Sequence, residues 1–267
     1  MYDVEYKYKL KICFLKGDRI MELRICLDSK ALGKSAADYI VGLLQQAINK
    51  KGHARILMST GASQFDTIAA LIEKDFDWSK VEMFHLDEYV GIEETHIASF
   101  RKYLKEKFIS KVNLKAAYLI DGTPECIPAI TEKLREEEID VGLIGIGENA
   151  HIAFNDPPAD FDTREAYIVV NLNDTCKKQQ VGEGWFATVD DVPKQAVSMT
   201  CYQIMQCKHI VSCVPHSVKA NAIHDTLVND LTNMTPATLL KKHPSAVIYT
   251  DLNSAARVNG AEIKFDI

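Results

Sequence analysis

Apolar runs of strand length alternate with segments of helical apolar spacing along almost the whole chain, and no other feature of the sequence constrains the fold as much. Strands are expected at Leu23–Leu27, Ala54–Met58, Val81–His85, Ala117–Ile120, Val141–Ile146, Tyr167–Asn171, Ala196–Met199, His209–Val214 and Ala246–Tyr249. Several of these are β-branched runs of buried-strand length. Helices fit the intervals at Ala31–Asn49, Gln64–Lys74, Ile97–Lys107, Pro124–Glu137, Ser217–Leu227 and Pro236–Lys242. Such alternation implies an α/β fold: an open, mostly parallel sheet with helices on both faces. Ligands of such sheets sit beyond the carboxyl ends of the strands, which directs attention to loops 59–63, 86–92, 147–158 and 215–219. Residues 1–20 are basic and poorly patterned, and they read as an extension ahead of one α/β domain spanning 21–267. Met21, where the first clean strand begins, suits a native start.

The balance of charge narrows the partners. A formal net charge of −6 disfavours nucleic acid, whose phosphate backbone calls for a concentrated excess of Lys and Arg. It leaves room for a local basic pocket that holds one phosphate. Seven scattered cysteines without a Cys-x-x-Cys pair read as reduced, buried thiols of a cytoplasmic protein. Cys207, His209 and Cys213 lie near one another, but the run KHIVSCV reads as a core strand, so no metal and no cofactor is expected. No apolar run approaches the roughly 18 to 20 residues of a membrane span.

Four loops carry the candidate chemistry. Ser59-Thr60-Gly61-Ala62-Ser63 runs from a strand into a helix, where backbone N–H groups can cradle a phosphate. An ordinary turn, with Ser63 capping the helix and Asp66 closing a capping box, fits the same residues. Asp87 and Glu88 follow a buried strand, and one of them can act as general base; capping the next segment is the plainer role. The run from Gly145 to Pro158 gathers glycine, His151 and Asp156 in one turn, where an imidazole can shuttle protons or simply be buried and hydrogen-bonded. A dinucleotide site is disfavoured there, because no third glycine follows Gly147. Lys219 stands at a helix start, unfavourable for the helix dipole unless an anion shares the site.

FHLDEYVGI (84–92), GIGENAHIAFNDPP (145–158), the STGAS loop and VPHSVKA (214–220) occur in the order and spacing of the glucosamine-6-phosphate deaminase family, which the chain resembles from Met21 to Ala255. HIAFNDP is the most specific element. The related 6-phosphogluconolactonases usually continue after the same His with a Ser-Leu-Phe-Pro type sequence. The resemblance implies a Rossmann-like fold and conversion of glucosamine 6-phosphate and water to fructose 6-phosphate and ammonia. It implies Asp87 as the carboxylate that moves the proton between substrate carbons and His151 as the ring-opening imidazole. It places Gly61, Ala62, Ser63 and Lys219 at phosphate-binding positions, with Ser59 and Glu88 completing the expected binding set. Self-association is also an expectation from the resemblance.

The sequence departs from the family pattern at three points. Asn149-Ala150-His151 stands where the family usually has Asp-Gly-His, so a neutral amide replaces a central catalytic carboxylate. Asp156 replaces a Glu and is one methylene shorter, so it supports His151 only if its loop moves in. The family's phosphate-gripping arginine has no counterpart in DTCKKQQVGEGWF (174–186), where Lys177 or Lys178 supplies at most a point charge. The leading expectation is an amino-sugar-phosphate deaminase/isomerase. A sugar-phosphate lactonase, or a regulator that keeps the pocket without turnover, are the alternatives.

Overall fold

The computed structural model describes residues 10–16 and 19–258, with side chains from Met21 onward. The strands are β1 (Leu10–Lys16), β2 (Arg19–Cys26), β3 (Ala54–Met58), β4 (Val81–His85), β5 (Asp87–Tyr89), β6 (Ala116–Tyr118), β7 (Val141–Ile144), β8 (Tyr167–Asn171), β9 (Gln195–Met199), β10 (His209–Val214) and β11 (Ser245–Asp251). The α-helices are α1 (Ser29–Lys51), α2 (Phe65–Ile72), α3 (Phe100–Leu104), α4 (Ile127–Arg135), α5 (Asp174–Gly182), α6 (Cys201–Ile204) and α7 (Ala220–Val228).

The main sheet has the order β1-β2-β11-β10-β7-β3-β4-β6, and every neighbouring pair except β1–β2 is parallel. This is the expected α/β architecture with an antiparallel strand added at one edge. That strand comes from the segment read as an extension: Leu10 faces Ile25, and Lys16 faces Arg19, in one continuous register. Residues 1–9 of that segment lie outside the described residues.

Period-two alternation sends successive strand residues to opposite faces. Leu57, Phe84, Ile144, Ile210 and Ile248 pack with Ile130 and Leu134 of α4 and Ile223 and Leu227 of α7 on one face. Ile56, Met83, Leu143, Val211 and Val247 pack with Leu32, Ile40 and Leu44 of α1 and Ile68 and Leu71 of α2 on the other. Both faces of the central strands are therefore dry, which explains why those strands read as unbroken apolar runs.

Two expected strands belong elsewhere. Tyr167–Asn171 and Gln195–Met199 pair antiparallel with each other, and β9 also pairs with Asp87–Tyr89, giving a separate three-stranded sheet. Its packing with Phe154, Cys176 and Phe186 builds a third, aromatic-rich core. The expected helix at Ile97–Lys107 begins only at Phe100 and widens into a π turn over Lys105–Ile109. Pro236–Lys242 forms a 3₁₀ turn. α5, which the sequence did not announce, follows β8.

Candidate functional site

The four central strands β10, β7, β3 and β4 are neighbours, so the loops that leave their carboxyl ends meet over the middle of the sheet. They enclose a cavity of about 100 Å³ lined by Ser59 to Gln64 after β3, Leu86 and Asp87 after β4, Gly145 to Gly147 and His151 after β7, and Lys219 after β10. It adjoins an outer cleft of about 630 Å³ that shares Ala62, Ser63, Gln179, Glu183 and Lys219 with it.

In the first loop, Gly61 at φ +97° turns the chain from β3 into a short 3₁₀ turn, Ala62–Gln64, that precedes α2. No side chain caps this turn, so the capping box expected from Ser63 and Asp66 does not form. Helix starts leave N–H groups without intrahelical partners, and here those groups border the cavity and suit an anion. Gln64 is fully buried, its amide N–H held by the Cys213 carbonyl at 3.0 Å.

Asp87 and Glu88 have opposite surroundings. Asp87 is 7 % exposed, opens into the cavity, and receives no hydrogen bond or ion pair among the described residues. Burial, reinforced by the neighbouring Glu88, pushes its carboxyl up to about 8. Glu88 points away: its carboxylate accepts from the N–H groups of Tyr89, Phe100 and Arg101 and from the Ser99 hydroxyl, at 2.8 to 3.1 Å. Expected at the substrate, Glu88 instead holds the start of α3. This satisfies orphan N–H groups and leaves no lone pair directed at the cavity. His85, the last residue of β4, is fully buried, and burial together with Arg101 drives its imidazole down to about 3, so it stays neutral.

The third loop shapes itself around His151. The His151 carbonyl accepts from the Gly147 N–H at 2.9 Å, closing a turn in which Ala150 adopts φ +64°. A Cβ on Gly147 would stand 2.2 Å from Cε1 and Nε2 of the imidazole, so only glycine lets the ring lie there. The other edge of the ring faces Asp156, whose Oδ1 is 3.0 Å from Nδ1. The shorter acid therefore does reach His151 without a rearrangement. The backbone provides the reach: Asn155, pinned by the carbonyls of Ile152 and Met199 at 2.8 Å, draws the loop inward. Burial raises the Asp156 carboxyl, but His151 and the Asn149 amide outweigh it and hold the acid below its ordinary value.

Lys219 ends the short turn Ser217–Lys219 ahead of α7 and is 6 % exposed. It has no ion-pair partner among the described residues, and burial lowers its ammonium pKa against the weaker pull of Glu183 and Glu148. Lys178, the expected stand-in for arginine, is exposed and lines only the outer cleft. The sequence reading missed the wall made by α5 and its C-terminal turn, which brings Gln179, Gln180, Glu183 and Trp185 to the cavity. Gln180 is fixed there by the Tyr89 hydroxyl at 2.7 Å. The run QQVGEGWF was the available signal, but it carries no apolar stripe that marks a helix.

Residues 27–249 match the family model of glucosamine-6-phosphate isomerases/6-phosphogluconolactonase. Glucosamine-6-phosphate deaminase of Staphylococcus epidermidis is 34% identical over 243 residues, covering 86% of this chain and 97% of that one. The structure of a monomeric glucosamine-6-phosphate deaminase superposes with a TM-score of 0.79 at 24% identity, over 88% of this chain and 98% of the other. A 6-phosphogluconolactonase from Shewanella baltica superposes with a TM-score of 0.70 at 18% identity, over 86% of this chain and 97% of the other, a likeness of fold alone.

Proposed function

Because the chain belongs to the family of glucosamine-6-phosphate isomerases and 6-phosphogluconolactonases, we propose that it is an amino-sugar-phosphate deaminase/isomerase. It converts glucosamine 6-phosphate and water to fructose 6-phosphate and ammonia. The relatives at 34% identity carry the deaminase name, whereas the lactonase likeness stands at 18% and speaks for fold.

One observation carries the reading: an unpartnered carboxylate raised to about 8 opens into the same cavity as a carboxylate-backed imidazole and a partnerless buried ammonium. The phosphate sits on the N–H groups of residues 61–63 with Lys219 as counter-charge; Ser59 borders the same cradle. Lys178 adds long-range attraction from the outer cleft. A phosphate there gives the buried Lys219 ammonium, which has no ion-pair partner among the described residues, and the uncapped N–H groups an anion to hold.

Chemistry follows in three steps. His151 moves the proton between the anomeric hydroxyl and the ring oxygen, opening the sugar. Asp87 takes the proton from C2 and returns it at C1, while the aldehyde oxygen gains the proton that the amine nitrogen gives up, which converts the open-chain aldose amine to an imine at C2 beside a C1 hydroxyl. Water then adds to that imine, and ammonia leaves as the ketone forms. A base with a pKa close to the working pH suits the middle step, because it both accepts and returns the proton.

The test is ammonia release by purified protein from glucosamine 6-phosphate, galactosamine 6-phosphate and their N-acetyl forms, with Asp87→Asn as control. Release from an amino sugar phosphate that disappears in the control is expected. Lactone hydrolysis without ammonia, or ligand-dependent thermal stabilisation without any product, would overturn the assignment. Inorganic phosphate should raise the melting temperature of the wild type and lose most of that effect in Lys219→Ala.

A further inference from the structure

We propose that Asn149 is a positioning residue which clamps the Asp156 carboxylate against His151, so that one acid held by an amide fixes the imidazole. The inference deepens the deaminase reading and rests on it for its kinetic consequences. Asn149 makes two contacts with different ends of its amide. Its Nδ2–H donates to Asp156 Oδ1 at 3.0 Å, and its Oδ1 accepts from the His151 backbone N–H at 3.3 Å. The same Asp156 oxygen lies 3.0 Å from His151 Nδ1. Asn149, His151 and Asp156 therefore form a closed loop of contacts through a single carboxylate oxygen.

Only one orientation of the amide satisfies both ends, because a carboxylate takes a donor and a backbone N–H needs an acceptor. An aspartate at 149 keeps the second contact but turns the first into a clash of two acids, one of which must then be protonated. The neutral amide therefore does what a carboxylate at this position cannot: it donates to Asp156 without competing for the proton of His151. Asp156 Oδ1 lies 3.0 Å from Nδ1 but off the line of a ring hydrogen bond, so its negative charge rather than a formed bond favours the proton on that nitrogen, and Nε2, on the edge against Gly147, is the nitrogen left to accept one from the substrate. The other charged groups near the ring are Asp87 after β4, Glu183 after α5, Lys219 before α7, and Glu148 at the outer cleft.

The proposal makes its first prediction for the imidazole itself. In ¹⁵N spectra of wild-type protein, His151, identified among the eight histidines by its loss in His151→Gln, should be the Nδ1–H tautomer once it is neutral. Asn149→Ala should mix the tautomers. The kinetic arm is a double-mutant cycle. Asn149→Ala should lower kcat roughly 10- to 100-fold with little change in KM, as misplacement of a catalytic group does. The same change in an Asp156→Asn background should cost nothing further. A tautomer population unchanged in folded Asn149→Ala, or losses that add in the double variant, would overturn the clamp. Wild-type protein that releases no ammonia from any sugar phosphate would sink the deaminase reading instead, while the spectra still decide the clamp.

Discussion

Two loops, after strands that flank β3 on either side, each bring an aspartate to the cavity, and the protein treats the two acids in opposite ways. At the β4–β5 junction Asp87 has no donor among the described residues, and burial pushes it up to about 8. In the loop after β7, Asp156 is backed by an amide and an imidazole that hold it below its ordinary value. Sequence alone presents both as an acid in a loop beyond a buried strand. The environments separate them into a carboxyl that exchanges its proton near neutrality and one that stays charged as a support, which is how one fold assigns base and electrostatic roles.

The comparison breaks most visibly at Asp87. Asp87→Asn should reduce turnover at least about 100-fold, the typical loss on removing general-base catalysis. In the wild type, kcat/KM should rise with pH toward a break near 8, because only the ionised acid takes the C2 proton. Stability runs the other way. A carboxyl raised from 3.8 to about 8 by folding contributes stability that is complete below its unfolded value and lost as pH rises through its folded value. Asp87→Asn removes this liability, so its advantage in melting temperature over the wild type should grow from pH 4 to pH 8, measured by calorimetry. An inactive variant that is also less stable at pH 8 would show that Asp87 holds the fold together instead.

Asp156→Asn supplies the other half. Its depressed pKa contributes stability that is present above the unfolded value and lost as pH falls through the folded one. The variant should therefore melt below the wild type at neutral pH and approach it in acid. Turnover should fall by roughly 10- to 100-fold, less than for Asp87→Asn, because His151 remains but is no longer fixed. Equal behaviour of the two variants with pH would erase the distinction between the loops.

Much of this was legible beforehand, for physical reasons that differ by element. Buried parallel strands such as His209–Val214 must be apolar on both faces, so they stand out, and the rule that ligands lie beyond their carboxyl ends led to all four loops. The small antiparallel sheet was not legible as a separate sheet. β8 and β9 have strand composition, but nothing within a strand names its partner, and the third strand, Asp87–Tyr89, which pairs with β9, is only three residues long. α5 escaped because DTCKKQQVG has almost no apolar face, its role being to wall the cavity with polar side chains. The fate of Glu88 was invisible because its partners lie 11 to 13 residues further on, at the start of a helix that begins later than its pattern suggests.

Glu88 gives a third and smaller test. Glu88→Gln keeps the shape but replaces acceptors of three N–H groups and a hydroxyl with one carbonyl and an extra donor. A loss of roughly 1–3 kcal/mol in unfolding free energy is expected. Since Glu88 also helps to raise Asp87, its neutralisation should move the break in kcat/KM to lower pH. A break that stays in place would leave burial as the sole cause of the high Asp87 pKa.

The least effect is expected at Ala150, and it decides what holds His151. A non-glycine residue at φ +64° bears roughly 1–2 kcal/mol of backbone strain that glycine does not. Ala150→Gly relieves it, but the more flexible unfolded chain takes back about 0.4–1 kcal/mol, and burial of one methyl group, worth about 0.8 kcal/mol, is lost from a residue 2 % exposed. These terms nearly cancel, so denaturant unfolding should show a change within about 1 kcal/mol of zero. Turnover should barely move as well, because the contacts from Asn149 and Asp156 reach His151 on either side of this residue. Should Ala150→Gly instead reduce turnover as far as Asp156→Asn, the stiff turn itself would be what aims the imidazole, and the acid beside it would be a consequence of that turn.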